Sequence, residues 1–94
     1  MRNYEMVCII HPEVEGDDLS AVVENIEGLV KRGDGRVTHI EPWGMRRLAY
    51  PIKKQEDGQY MLLKLELDPQ GVAAVDRGLQ LMEPVIRHLI VSID

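Results

Sequence analysis

"QYMLLKLELDPQGVAAV", residues 59 to 75, changes its period in the middle. Up to Leu67 the side chains alternate: Met61, Leu63, Leu65 and Leu67 face one way, and Tyr60, Leu62, Lys64 and Glu66 the other. That is the pattern of a strand with one buried face, carried by the first set. Beyond Asp68 the spacing turns helical, with Val72, Val75, Leu79 and Met82 on one stripe. Asp68 suits an N-cap, and Pro69 suits the first helical position, where its missing N–H costs little. Gly71 and Gly78 each weaken this helix by roughly 1 kcal/mol relative to alanine, so it depends on packing against a neighbour.

The same alternation of periods extends in both directions. Upstream, residues 36 to 52 read as a long irregular strand with a bulge at Gly44, closed by a turn in "KKQEDG". Before it lies a helix from Asp17, in which Leu19, Val22, Val23, Ile26, Leu29 and Val30 form a single apolar stripe. Asp17 and Asp18 are expected to cap its start and meet the positive end of its dipole, Lys31 and Arg32 suit its negative end, and Gly33 is expected in the left-handed cap conformation. "YEMVCII", residues 4 to 10, is a strand ended by His11-Pro12, with Met6, Cys8 and Ile10 on one face and Val7 and Ile9 on the other. Downstream of Pro84, "VIRHLIVSI" is a β-branched strand whose inward face alternation leaves open.

The order is β-α-β-β-α-β, an α+β, ferredoxin-like arrangement: a four-stranded antiparallel sheet with two helices on one face. Ninety-four residues make one domain spanning 1–94. Its 45% hydrophobic and 29% charged residues are those of a compact soluble fold rather than a disordered chain. The longest apolar runs fall far short of the roughly 20 residues that span a bilayer, and no signal-peptide pattern opens the chain, so no membrane association is expected. A single cysteine, Cys8, set in an apolar run, reads as a buried thiol in a reducing, cytoplasmic setting.

Charge is distributed unevenly. The formal net charge is −5, yet residues 31 to 54 carry a net +5 between flanks of −6 and −4. Within that segment, "PWGMRRLAYPIKK" (42 to 54) sets four cations among Trp43, Tyr50 and two prolines. An acidic whole argues against indiscriminate coating of nucleic acid, while a local basic segment can still neutralise several phosphates.

If the helices cover the face of Met6, Cys8 and Leu63, then Val7, Ile9, Tyr60 and Leu62 lie on the uncovered face, where a contiguous apolar patch suits a partner site, the alternative being partial shielding by loops and by the stems of Lys64 and Arg87. Base stacking on the central strands, as in RNA-recognition motifs, is not expected: the chain has no Phe, and "QYMLLKLEL" lacks the aromatic signature of that strand. His11, His39 and His88 are far apart with no cysteine partner, which gives a metal site little support. Neither a framed nucleophile nor a phosphate-binding glycine loop is present, and "GDGR" (33 to 36) is a helix stop and turn. Catalysis, a cofactor and a small-molecule substrate are therefore not expected.

"WGMRRLAYPI" (43 to 52), with "MRNYE" at the start and "VIRHLIV" (85 to 91) near the end, resembles the bacterial small-subunit ribosomal protein six family over essentially the whole chain. The resemblance implies a ribosomal, cytoplasmic protein that binds the central domain of small-subunit rRNA together with a basic partner, small-subunit ribosomal protein eighteen. Carried onto the matched positions, Arg2, Arg46, Arg47 and Arg87 are the implied RNA or partner contacts, with Lys53 and Lys54 added on charge alone. Trp43, Tyr50, Tyr60 and Leu62 are expected at the protein interface or in its support. No contact is carried over from the extended tail of some members of that family, and Asn3 stands where some carry a base. The alternative from another class is a ligand-sensing or self-associating ferredoxin-like module using the open face. An acylphosphatase-like enzyme is third, without a matched phosphate-binding motif.

Overall fold

A computed structural model describes residues 1–93. Along the chain come β1 (Arg2–Ile10), α1 (Gly16–Arg32), β2 (Arg36–Ile52), β3 (Gln55–Leu67), a short 3₁₀ turn (Pro69–Gly71), α2 (Val72–Gln80) and β4 (Val85–Ser92). The strands pair antiparallel in the spatial order β2-β3-β1-β4. This is the ferredoxin-like order expected from the periods.

The principal core lies between the sheet and both helices. Met6, Cys8, Ile10, Leu63, Leu65 and Leu67 from the strands meet Val22, Ile26 and Val30 of α1 and Val75 and Leu79 of α2. Each such side chain removed from water contributes about 1.5–3 kcal/mol, which is what holds two short helices on the sheet. Burial pushes the Cys8 thiol up to about 12, so it is inert while the fold persists. Gln59 tethers the β1–α1 connection by donating through Nε2 to the carbonyls of His11 and Val14.

Several local expectations are corrected. Asp17 and Asp18 occupy the first turn of α1, but no side chain caps it; its N-cap is Glu15. Gly33 ends α1 with φ −87°, not left-handed, and Asp34 takes the positive φ of 61° instead. Gly33 and Gly71 lie close together: a Cβ at Gly71 would lie 2.9 Å from the Gly33 carbonyl oxygen, while one at Gly33 would press on Leu67 Cδ1 at 3.3 Å. Asp68 does accept from the backbone N–H of Gln70, although the turn it opens is 3₁₀ before α2 begins.

The β2–β3 turn is tighter than expected. Only Lys53 and Lys54 stand outside the strands, both with positive φ (51° and 68°), and Ile52 pairs with Gln55. The expected bulge is present: the register shifts between Pro42 and Gly44, and Gly44 has φ 83°. In β4 a register shift opposite Ile9 and Ile10 settles which way the side chains face, because Cys8 and Met6 pair with His88 and Ile90 on the helix side. Arg87, Leu89 and Val91 thereby face the open side.

Candidate nucleic-acid interface

On the face away from the helices, the register places Glu41, Leu62, Val7 and Leu89 in one row and Gly44, Tyr60, Ile9 and Arg87 in the next. Residues paired directly across antiparallel strands share a face, so these rows are surfaces rather than sequence neighbours. Beyond Gln59, which still pairs with Ile10, the sheet continues only as the arm formed by β2 and β3, where Arg46 pairs with Gly58 and Arg47 with Asp57.

The arm folds part of itself over the sheet. Leu48 of β2, Ile9 of β1 and Ile86 of β4 form a second buried cluster, with Ile52 and Tyr60 packed against it. Ile9, expected on the uncovered face, is therefore buried, and Val7 and Leu62 are half-buried. A Cβ at Gly58 would lie 2.3 Å from Ile9 Cγ2, so the bare glycine makes the room into which Ile9 fits. What stays exposed is displaced toward β4: Leu89 is 59% and Val91 47% accessible.

Around this small cluster two cations, Arg46 and Arg87, are held by aromatic groups. The Arg46 guanidinium lies 5.3 Å from the Trp43 ring centroid and 5.9 Å from that of Tyr60. The Trp43 indole N–H in turn donates to Glu41 Oε2 at 2.7 Å. Arg87 Nη1 donates to the Tyr50 hydroxyl at 2.6 Å. Cation–π contacts at exposed sites are worth about 0.5–1 kcal/mol, enough to bias a rotamer without cancelling the charge. That distinguishes Arg46 and Arg87 from Arg36, which is ion-paired to Glu66 at 2.5 Å, and from Arg47, whose pair with Glu56 is long (3.9 Å) and solvent-exposed.

Of the residues singled out in the sequence, Trp43, Arg46 and Tyr60 meet in one stack, and Tyr50 and Arg87 in another contact on the same face. Leu62 lies beside Val7 in the neighbouring row. Lys53 and Lys54 are exposed at the arm's tip, and Arg47 lies on the arm between. Arg2 stands apart. It pairs with Leu67, on the helix side, and by strand rise lies roughly 23 Å from the Ile9–Arg87 row. Trp43 and Tyr50, expected at a protein interface or in its support, each touch an arginine of this chain.

Sequence reasoning missed Glu41, Leu48, Ile86, Leu89 and Val91. Glu41 had no signal, since its role depends on where the bulge turns Trp43. Leu48, Tyr50 and Ile52 do alternate, but the face they share is identifiable only once the arm is seen to curl over β1 and β4.

The family model for ribosomal protein S6 matches residues 3–92. The small ribosomal subunit protein bS6 of Desulforamulus reducens is 38% identical over 91 residues, covering 97% of this chain and 96% of its own. That of Streptomyces griseus is 41% identical over 87 residues, covering 93% and 91%. The crystal structure of 30S ribosomal protein S6 from Thermotoga maritima superposes with a TM-score of 0.89 at 27% identity, covering 98% of this chain and 87% of the other.

Proposed function

The chain belongs to the ribosomal protein S6 family, and on that premise we propose that, as a single ferredoxin-like domain, it binds the central domain of small-subunit rRNA jointly with small-subunit ribosomal protein eighteen. Family membership makes it a structural, non-enzymatic protein of the small ribosomal subunit in the cytoplasm.

One observation carries the RNA reading: among the described residues, Arg46 and Arg87 are oriented by Trp43, Tyr60 and Tyr50 rather than neutralised by carboxylates. An arginine so held keeps its planar fork for phosphate oxygens and loses little freedom on binding. Arg47, Lys53 and Lys54 extend the same positive field along the arm. Arg2, at the opposite end, reaches a separate phosphate or the partner. Leu62, Val7, Leu89 and Val91 form the apolar area for the partner, with Tyr60 at its border. The anionic remainder of the chain keeps affinity for RNA low until a basic partner completes the surface.

The test is binding of a central-domain rRNA fragment by the chain with and without the partner. The heterodimer is expected to bind much more tightly, with log affinity falling against log salt by about 0.9 per phosphate on the scale set by B-DNA. Arg46→Ala with Arg47→Ala is expected to flatten that slope. A heterodimer that binds no better than either protein alone refutes the joint reading. Exposed Leu89 and Val91 also suit self-association; sedimentation showing a tight homodimer that excludes the partner would favour that reading.

A further inference from the structure

Building on the RNA-binding reading, we propose that Trp43 is a stacking platform for one unpaired nucleobase of the bound RNA, whose flanking phosphate is taken by Arg46. The indole is held in place before any ligand arrives. Its N–H is bound to Glu41 Oε2, the Arg46 guanidinium lies over its ring, and 37% of the residue remains accessible. A ring held in this way loses little freedom when a base stacks on it.

The chemistry around the ring selects a nucleotide over an aliphatic side chain. A nucleotide supplies a flat π-surface for the indole and an anion for the adjacent guanidinium; a leucine or valine from a protein supplies neither. Glu41 orients the ligand further, since its carboxylate repels phosphate from the Trp43 end and leaves that position to the neutral base. Glu41 is charged at neutral pH like any exposed glutamate, and the hydrogen bond from Trp43 lowers its proton affinity further, so this discrimination extends into mild acid.

The arrangement also explains why stacking is absent from the central strands yet present at the edge. Tyr60, on the central strand β3, is half-buried because it packs against the cluster of Ile9, Leu48 and Ile86. The bulge between Pro42 and Gly44 instead turns Trp43 of the edge strand onto the same face. An edge position reaches only a base that has left its helix, which is the form in which RNA bases are read by stacking.

Trp43 is the chain's one tryptophan, so its fluorescence reports the contact directly. The intact protein, at low salt, is titrated with a short mixed-sequence single-stranded oligoribonucleotide and, separately, with inorganic polyphosphate. Quenching by the oligoribonucleotide but not by polyphosphate is expected. Trp43→Leu is expected to weaken oligoribonucleotide binding roughly five- to hundredfold, and Trp43→Phe to retain most of it, without altering the salt slope. Equal quenching by polyphosphate, or Trp43→Leu binding like the parent protein, overturns the stacking platform. Quenching by the partner protein alone, with none by RNA, overturns it in favour of a protein contact. These failures leave the phosphate reading standing, whereas an unchanged salt slope in Arg46→Ala/Arg47→Ala removes the premise itself.

Discussion

The Arg87 guanidinium of β4 donates to the Tyr50 hydroxyl of the β2–β3 arm at 2.6 Å, joining residues 37 apart in sequence. Arg87 itself faces Ile9 in the register, so the bond spans the small cluster that fastens the arm to the sheet. Tyr50→Phe keeps every charge and removes only the restraint. Heterodimer affinity for the rRNA fragment is expected to fall roughly two- to tenfold, the range of one ordinary hydrogen bond, at unchanged salt slope. Arg87→Ala should instead reduce the slope by about one phosphate. Affinity measured at several salt concentrations separates the two; a Tyr50→Phe variant with the slope of Arg87→Ala would contradict the positioning role.

Lys53 and Lys54 both sit at positive φ, in a two-residue hairpin turn that favours Asn-Gly. Left-handed backbone costs a lysine roughly 1–2 kcal/mol, which asparagine and especially glycine escape. Lys53→Asn with Lys54→Gly is thus expected to raise stability by about 1–2 kcal/mol in urea unfolding. The same change removes two cations and should lower RNA affinity. Stability and binding moving in the same direction would show that the lysines are not held there for their charge.

Two glycine-to-alanine changes should act in opposite directions. At Gly58 the new methyl would meet Ile9 Cγ2 at 2.3 Å, and a β-branched side chain has little freedom to retreat. Gly58→Ala is expected to cost about 1–3 kcal/mol as an overpacked site, and to loosen the arm. At Gly28, within α1, a Cβ meets nothing within 4 Å, so Gly28→Ala should gain up to about 1 kcal/mol from helix propensity. Equilibrium unfolding of both variants tests the pair, and destabilisation by both would show that the open space at Gly28 is not real in solution.

Acid should release the indole. The Trp43 N–H lowers the proton affinity of Glu41, and the nearby His39 and Lys64 act in the same direction. A carboxyl whose folded value is depressed contributes stability above its unfolded value and loses it as pH falls through the folded one. A change in Trp43 fluorescence is therefore expected as pH falls beneath the ordinary glutamate range. Glu41→Ala should abolish that step, and a step that survives in this variant would assign it to another group.

The sequence by itself determined the element order and the principal core, because those rest on short-range period. Alternation at Met61, Leu63, Leu65 and Leu67, and the helical stripe from Leu19 to Val30, each state a buried face within a few residues. It also located the cations and aromatic residues of the arm, which crowd one stretch of chain. Only the tertiary structure decided which of them meet. Trp43 reaches Arg46 through a bulge, Tyr50 reaches Arg87 across the sheet, and Ile9 disappears beneath Leu48 because Gly58 leaves room. The inward face of β4 likewise followed from its pairing with β1, since a register shift reverses alternation without leaving any mark in composition. Periodicity is a local property of the chain, while register, bulge direction and the curl of a hairpin are set by contacts between segments distant in sequence.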